Sequence, residues 1–278
     1  MTRALITNDD GIGSPGLYAL AHAAIDAGLD VVIAAPAEEA SGSSAAITGT
    51  NTIAVTGHTD ASTIKVEKRE LDDVPGVPAF SVRAAPGLIA LLAAHGAFGA
   101  PPDLVLSGIN RGANLGRVIL HSGTVGAALT GGVNDACGLA VSLDVGLDPE
   151  AHHWETAAAI VRDLIPVLLE HQHGTVFNLN VPNLPPGSPI ELREATLAPF
   201  GIVQTTMTEP VEGDVRLTVR ELPEEPIEGS DAALLAAGFA TVTNVVAVQE
   251  SATAVFVGRR RDRGGLHVTT SATPVLDA

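Results

Sequence analysis

Aromatic side chains are scarce in this 278-residue chain, which holds six Phe, one Tyr and one Trp. A platform for stacking unpaired bases therefore has little material to work with. Basic residues are also few, 15 Lys and Arg against 32 Asp and Glu, for a formal balance of −17. The field of such a chain repels a long polyanion, so polymeric nucleic acid is excluded as a partner, whereas a small phosphorylated ligand needs only one local site of opposite sign. Cys137 is the only cysteine, which excludes an intrachain disulfide and any cysteine-built zinc or iron–sulfur site. Long apolar runs are missing too. The weakly polar stretches near Leu88 to Ala97 and Ala232 to Val248 are short or broken by Gly, Thr and Asn, so no membrane span is expected. After Met1-Thr2-Arg3 the apolar stretch is only Ala4-Leu5-Ile6, too short for a signal-peptide core, and a cytoplasmic, soluble protein is expected.

What remains is a chain with 46% hydrophobic residues, long enough for one large α/β domain or one core with an appendage. Arg3 to Thr7 reads as a buried strand. Ser14-Pro15, followed by Leu17, Leu20, Ala21, Ala24 and Ile25 and ending at Gly28, reads as a helix capped in the way backbone sterics favour. With Val31 to Ala34 as the next strand, the chain opens as a βαβ unit, which implies a right-handed crossover and a parallel sheet. Leu104 to Leu106, Leu139 to Ser142 and Val176 to Leu179 extend that sheet, and helices are expected over Pro86 to Ala94, Gly123 to Gly131 and His152 to His171. In the last of these, Trp154, Ala158, Val161, Ile165 and Leu168 form an amphipathic face, with a kink expected at Pro166. The predicted fold is therefore a Rossmann-like, doubly wound, mostly parallel α/β core over residues 1–184, with a hairpin excursion near 48–82. A β-rich extension is expected over 185–278, where Val215 to Val219 and Ala254 to Val257 are strand-like.

Chemistry concentrates where strands end. Asn8-Asp9-Asp10-Gly11 follows the first strand, where ligands of open α/β sheets bind. Two carboxylates about 4 Å apart repel by roughly 4 kcal/mol at an effective dielectric near 20. A divalent cation offsets that cost, and oxygen ligands favour magnesium, manganese or calcium. Taken alone, the pair fits better a solvated turn that caps the helix. The same turn matches Gly11-x-Gly13-x-x-Gly16, a dinucleotide fingerprint, but two acids before the glycines oppose a pyrophosphate and no acid ends the second strand for a ribose hydroxyl. Three further segments stand at strand ends or helix starts. Ser41-Gly42-Ser43-Ser44 is a hydroxyl-rich loop, Ser107-Gly108-Ile109-Asn110 ends a strand in a Gly- and Asn-rich turn, and His121-Ser122-Gly123-Thr124 opens a helix whose free N–H groups suit an anion.

Together these segments resemble the survival protein SurE family of metal-dependent 5′/3′-nucleotidases. The resemblance is carried by Thr7-Asn8-Asp9-Asp10-Gly11-Ile12 with Pro15-Gly16, by Ala35-Pro36 with Ser41-Gly42-Ser44, by Ser107-Gly108-Ile109-Asn110-Arg111-Gly112-Ala113-Asn114-Leu115-Gly116, and by Ser122-Gly123-Thr124-Val125-Gly126-Ala127-Ala128. Weaker echoes lie at Asn178 to Pro182 and near Asp231 to Thr243. It implies one divalent ion per subunit, Mg²⁺ or Mn²⁺, held by Asp9, Asp10, Ser41 and Asn110, with Asp9 and Asp10 catalytic. Substrate and phosphate contacts fall to Asn8, Gly42, Ser43, Asn110, His121, Ser122, Gly123 and Thr124. Hydrolysis of nucleoside monophosphates is the implied activity, in a homodimer or homotetramer assembled through the C-terminal arm.

The chain also departs from the family pattern. Ala84-Ala85-Pro86-Gly87-Leu88-Ile89 stands where members have Gly-Thr-Pro-Ala-Asp-Cys, His121 replaces a Tyr, Thr130 replaces a Glu, and the aromatic-rich stretch after the core strands is missing. The ligand set is intact while substrate-facing and oligomer-facing parts have drifted. Two other functions are therefore carried forward: a non-catalytic nucleotide-sensing or scaffold protein, and a dinucleotide-binding oxidoreductase.

Overall fold

The computed structural model describes residues 1–49, 53–54, 63–146, 149–199, 203–211, 214–221, 227–246, 248, 259–262 and 265–268. It divides into two compact units, Met1–Ala247 and Val248–Ala278. In chain order the larger unit contains β1 (Arg3–Thr7), α1 (Pro15–Asp26), β2 (Asp30–Pro36), β3 (Thr48–Gly49), β4 (Ile53–Ala54), β5 (Val66–Arg69), β6 (Ala79–Val82) and α2 (Pro86–Ala94). It continues with β7 (Leu104–Arg111), a 3₁₀ helix (Gly116–His121), α3 (Gly123–Val133), β8 (Cys137–Asp144), α4 (Trp154–Leu169), β9 (Val176–Pro182), β10 (Leu192–Glu194), β11 (Val203–Val211), β12 (Asp214–Glu221), α5 (Asp231–Ala236) and β13 (Ala240–Asn244). The smaller unit holds the antiparallel pair β14 (Arg259–Asp262) and β15 (Gly265–Val268).

The main sheet has the order β10-β13-β9-β8-β7-β1-β2-β6-β5. From β9 through β6 every neighbouring pair is parallel. Such strands are covered on both faces and read as unbroken apolar runs, which is why Ala4-Leu5-Ile6 is fully buried. Successive side chains serve opposite layers. Ala4 and Ile6 join the core built with Leu17, Leu20 and Ala24 of α1 and Val161, Ile165 and Leu168 of α4. Leu5 and Val32 join the core built with Leu88, Ile89 and Ala93 of α2. The expected doubly wound architecture is thus observed, and the amphipathic face of α4 lies against the sheet, with Trp154 and Ala158 partly buried at its margin. α4 runs through Pro166 and ends three residues later, at Leu169.

Two boundaries differ from expectation. Within the expected excursion over 48–82, β3 and β4 form a separate short pair, while β6 lies in the main sheet between β2 and the edge strand β5. Residues beyond 184 are not all an appendage either. β13 pairs antiparallel with β9, and β10 pairs parallel with β13, so both extend the sheet. The expected run at Val215 to Val219 lies in β12, which pairs with β11 as a hairpin. Ala254 to Val257 falls outside the described residues. A buried carboxylate ties this C-terminal part of the sheet to the rest. Asp231, fully buried, accepts the N–H groups of Gly116 at 2.7 Å, Ala232 at 2.8 Å and Ala198 at 2.9 Å. A charge so placed is tolerated because backbone donors replace its hydration.

Strand order reverses between β1 and β7, since β2 and β6 lie to one side and β8 and β9 to the other. The loops leaving the carboxyl ends of those two strands diverge there and leave a crevice. Asp9 and Asp10 follow β1, and Asn110 stands near the end of β7.

Candidate active site

At this switch point an open cleft of about 660 Å³ is lined by Asp9, Asp10, Glu39, Ser41, Gly42, Asn110, Arg111, Asn114, Val118, His121 and Ser122. It brings together all four expected metal ligands and three of the expected substrate contacts beyond them, Gly42, His121 and Ser122. Asn8, Ser43, Gly123 and Thr124 stand behind this lining rather than in it.

Asn8 is fully buried and organises the turn that presents the two acids. Its Nδ2 donates to the Gly11 carbonyl at 3.0 Å and to Ser14 Oγ at 2.8 Å, while its Oδ1 accepts the Gly11 N–H at 3.2 Å. Ile12 N–H goes to the Pro36 carbonyl and Ser14 N–H to the Gly11 carbonyl. The glycine-rich turn has thus spent the Gly11, Ile12 and Ser14 donors that a pyrophosphate would need. Gly16 serves packing instead, because a Cβ there would lie 2.1 Å from the Ile109 carbonyl oxygen.

The start of α3 faces Asp9. Thr124 Oγ1 donates to Asp9 Oδ1 at 2.6 Å, and Ser122 caps the helix by accepting the Val125 N–H at 3.1 Å. A Cβ on Gly123 would lie 2.7 Å from both Asp9 Oδ2 and Ser43 Oγ. Thr124 therefore reaches the cleft through Asp9, whose carboxylate occupies the helix terminus expected for phosphate. Among the described residues Ser43 Oγ has no hydrogen-bond partner, a buried polar group held beside Asp9 Oδ2 and the missing Gly123 side chain. The Ser41 loop is fastened by Ser44 Oγ donating to the Leu120 carbonyl at 2.6 Å. It also passes so close to α3 that a Cβ on Gly126 would lie 2.5 Å from the Ala45 nitrogen.

The donor chemistry fits a hard dication. Asn110 Nδ2 donates to the Gly112 carbonyl at 2.7 Å, which commits the nitrogen and leaves the amide oxygen as the group on offer. Ser41 Oγ donates to Glu39 Oε1 at 2.7 Å, so its lone pairs remain available. Two carboxylates and two neutral oxygens make an all-oxygen set suited to Mg²⁺ or Mn²⁺. Among the described residues no three His, Cys, Asp or Glu side chains form a metal-holding group.

Electrostatics point the same way. Burial raises the Asp9 carboxyl above the ordinary carboxylate range, against the opposing hydrogen bond from Thr124. Burial first, and then the Asp9 charge, push Asp10 up to about 6. With the folded value above the unfolded 3.8, the folded chain holds more protons than the unfolded chain between those two pH values. This contribution to stability is fully present below 3.8 and is lost as pH rises through about 6. Chelator-treated Asp10→Asn should therefore melt close to wild type near pH 4 and above it toward pH 7.5, with each kcal/mol worth roughly 2–4 °C. A melting difference that does not change with pH would contradict this account of Asp10.

Sequence reading missed Glu39, Arg111 and Asn114. Asn114 anchors the β7 loop: its N–H donates to Asn180 Oδ1 at 2.7 Å, its Nδ2 to Ser142 Oγ at 2.8 Å, and its carbonyl accepts from Asn178 and Asn180, both at 2.9 Å. The sequence signals were the place of Arg111 and Asn114 in the Ser107–Gly116 motif and, for Asn114, the pair of Asn residues within the otherwise apolar strand β9.

Comparison with known proteins places these residues in a family context. The family model described as Survival protein SurE matches residues 4–203. The "5′-nucleotidase SurE" of Desulforudis audaxviator is 39% identical over 196 residues, covering 69% of this chain and 69% of the relative. That of Symbiobacterium thermophilum is 40% identical over 190 residues, covering 66% and 68%. The "5′-nucleotidase SurE 1" of Burkholderia lata is 33% identical over 249 residues, covering 87% and 89%. Among solved structures, the SurE protein from Aquifex aeolicus matches with a TM-score of 0.64 at 27% identity, over 88% of this chain and 93% of that one.

Proposed function

The chain belongs to the survival protein SurE family, and from that membership we propose that it is a divalent-metal-dependent phosphomonoesterase acting as a 5′-nucleotidase on nucleoside monophosphates. The observation that carries this reading is the convergence of Asp9, Asp10, Ser41 and Asn110 on one cleft at the strand-order switch point. A dication held by these four would supply charge neutralisation and Lewis acidity at the phosphoryl oxygens. Thr124 fixes the Asp9 carboxylate through its 2.6 Å hydrogen bond, so that Asp9 keeps one orientation throughout. Asp10 is more open than Asp9, which suits it to take the proton of the attacking water. The water oxygen forms the new bond to phosphorus as the ester P–O bond breaks in line. His121 is exposed at the cleft mouth, where its imidazole donates a proton to the departing sugar oxygen. Ser122 and Gly42 border the phosphate seat.

The test is a phosphate-release screen over nucleoside monophosphates and sugar phosphates, run with Mg²⁺, Mn²⁺ or chelator. Metal-dependent release from nucleoside monophosphates is expected. Release unaffected by chelator would overturn the metal assignment, and metal-dependent binding with no release across the panel would favour the sensing or scaffold alternative. We extend the proposal to a homodimer or homotetramer assembled through a C-terminal arm within 185–278, which a monomer in light scattering at micromolar concentration would refute.

A further inference from the structure

We infer that Arg111 is the phosphate clamp of this cleft, engaging the non-bridging oxygens of a dianionic monoester; the inference rests on the phosphomonoesterase reading above. The lining contains three carboxylates, Asp9, Asp10 and Glu39, and a single permanently cationic side chain, Arg111. A dication alone leaves that rim one charge negative, on a chain already at −17. An incoming dianion would be repelled. The Arg111 guanidinium brings the rim to neutrality before substrate arrives.

Its placement supports the role. Arg111 is the last residue of β7 and the strand's only exposed one, after six buried positions and a half-buried Asn110. Its backbone N–H donates to Asp10 Oδ2 at 3.4 Å, which holds its Cα against the catalytic carboxylate. Its guanidinium lies close enough to act on Asp10 by charge, yet among the described residues it makes no ion pair and no side-chain hydrogen bond. Other arginines differ: Arg3 pairs with Asp30 at 2.8 Å, and Arg193 pairs with Glu191 at 2.8 Å while lying 3.6 Å above the Phe239 ring. A planar fork with its donors unspent matches phosphate bidentately, whereas a lysine offers only a point charge.

Arg111→Met, Arg111→Lys and the control Arg117→Met are compared with wild type on p-nitrophenyl phosphate and a nucleoside monophosphate, with inorganic phosphate as inhibitor. Isothermal titration of inorganic phosphate into each protein with Mn²⁺ gives a readout independent of turnover. Arg111→Met should raise KM and the inhibition constant of phosphate together, by roughly 10-fold or more, with kcat changing less than about 3-fold. Arg111→Lys should fall between, and Arg117, exposed but outside the cleft lining, should change neither. The clamp is overturned if Arg111→Met keeps phosphate affinity within about twofold of wild type, or if kcat falls while KM and phosphate affinity stay unchanged. Wild type that binds phosphate but turns over no monoester would instead defeat the hydrolase reading, with the titration still deciding Arg111.

Discussion

In the proposed mechanism Asp9→Asn and Asp10→Asn should each lower kcat for phosphate release by about 10³-fold or more, because each removes a charge proposed to hold the cation. The two variants should differ in how they fail. Asp9 is 6% exposed and locked to Thr124, so its loss should chiefly weaken metal affinity. Asp10 is also proposed to accept the water proton, so saturating Mn²⁺ should restore less activity to Asp10→Asn than to Asp9→Asn. Titrating Mn²⁺ by calorimetry alongside steady-state kinetics separates the effects. Undiminished turnover in both variants would defeat the assignment of the site.

Gly123→Ala is the second large effect expected, and it tests geometry rather than charge. The new methyl would lie 2.7 Å from Asp9 Oδ2 and from Ser43 Oγ, closer than real Cβ contacts come. One of those groups must move, and Asp9 is held at its other oxygen by Thr124 at 2.6 Å. A shift of about 1 Å in a positioned catalytic group costs on the order of 10²-fold in rate. We therefore expect kcat/KM to fall by about that factor, with a stability cost of roughly 1–3 kcal/mol from overpacking. Activity within a few-fold of wild type would mean that α3 does not press on the site as described. A circular-dichroism melt run beside the kinetics separates the two contributions.

Much of this molecule was legible in advance, for reasons that differ between elements. β1, α1 and β2 were readable because burial on both faces, an N-cap Ser, Pro at the first helical position and a terminal Gly are all local. α2 was read with its observed bounds, helped by Pro86 at its first position, although its N-cap Ala85 supplies no side-chain cap. β10 and β13 were misassigned to an appendage because a three-residue strand and a five-residue strand carry too little pattern to show which sheet they join. The register that places β13 against β9 is a property of the packed sheet. Within the site, Asp9, Asp10, Ser41 and Asn110, singled out through the family resemblance, line one cleft, whereas Thr124, expected as a phosphate contact, donates to Asp9, 115 positions away. Arg111 reaches Asp10 across 101 positions. No periodicity in sequence reports such a meeting. Asn8 was likewise given to phosphate, because an amide at a strand end does not reveal that its own loop will consume it.

The sequence by itself determined the class of fold, the exclusion of an intrachain disulfide, and which short stretches carry acids, hydroxyls and amides at strand ends. Those are consequences of residue type and near-neighbour spacing, which chain folding cannot alter. Tertiary structure alone decided that β1 and β7 lie side by side with the strand order reversing between them, and that choice sets four distant loops around one cleft. It also decided which groups are buried, and so how hard two neighbouring carboxylates press for a cation, because desolvation depends on everything packed around a charge rather than on the residues beside it in the chain.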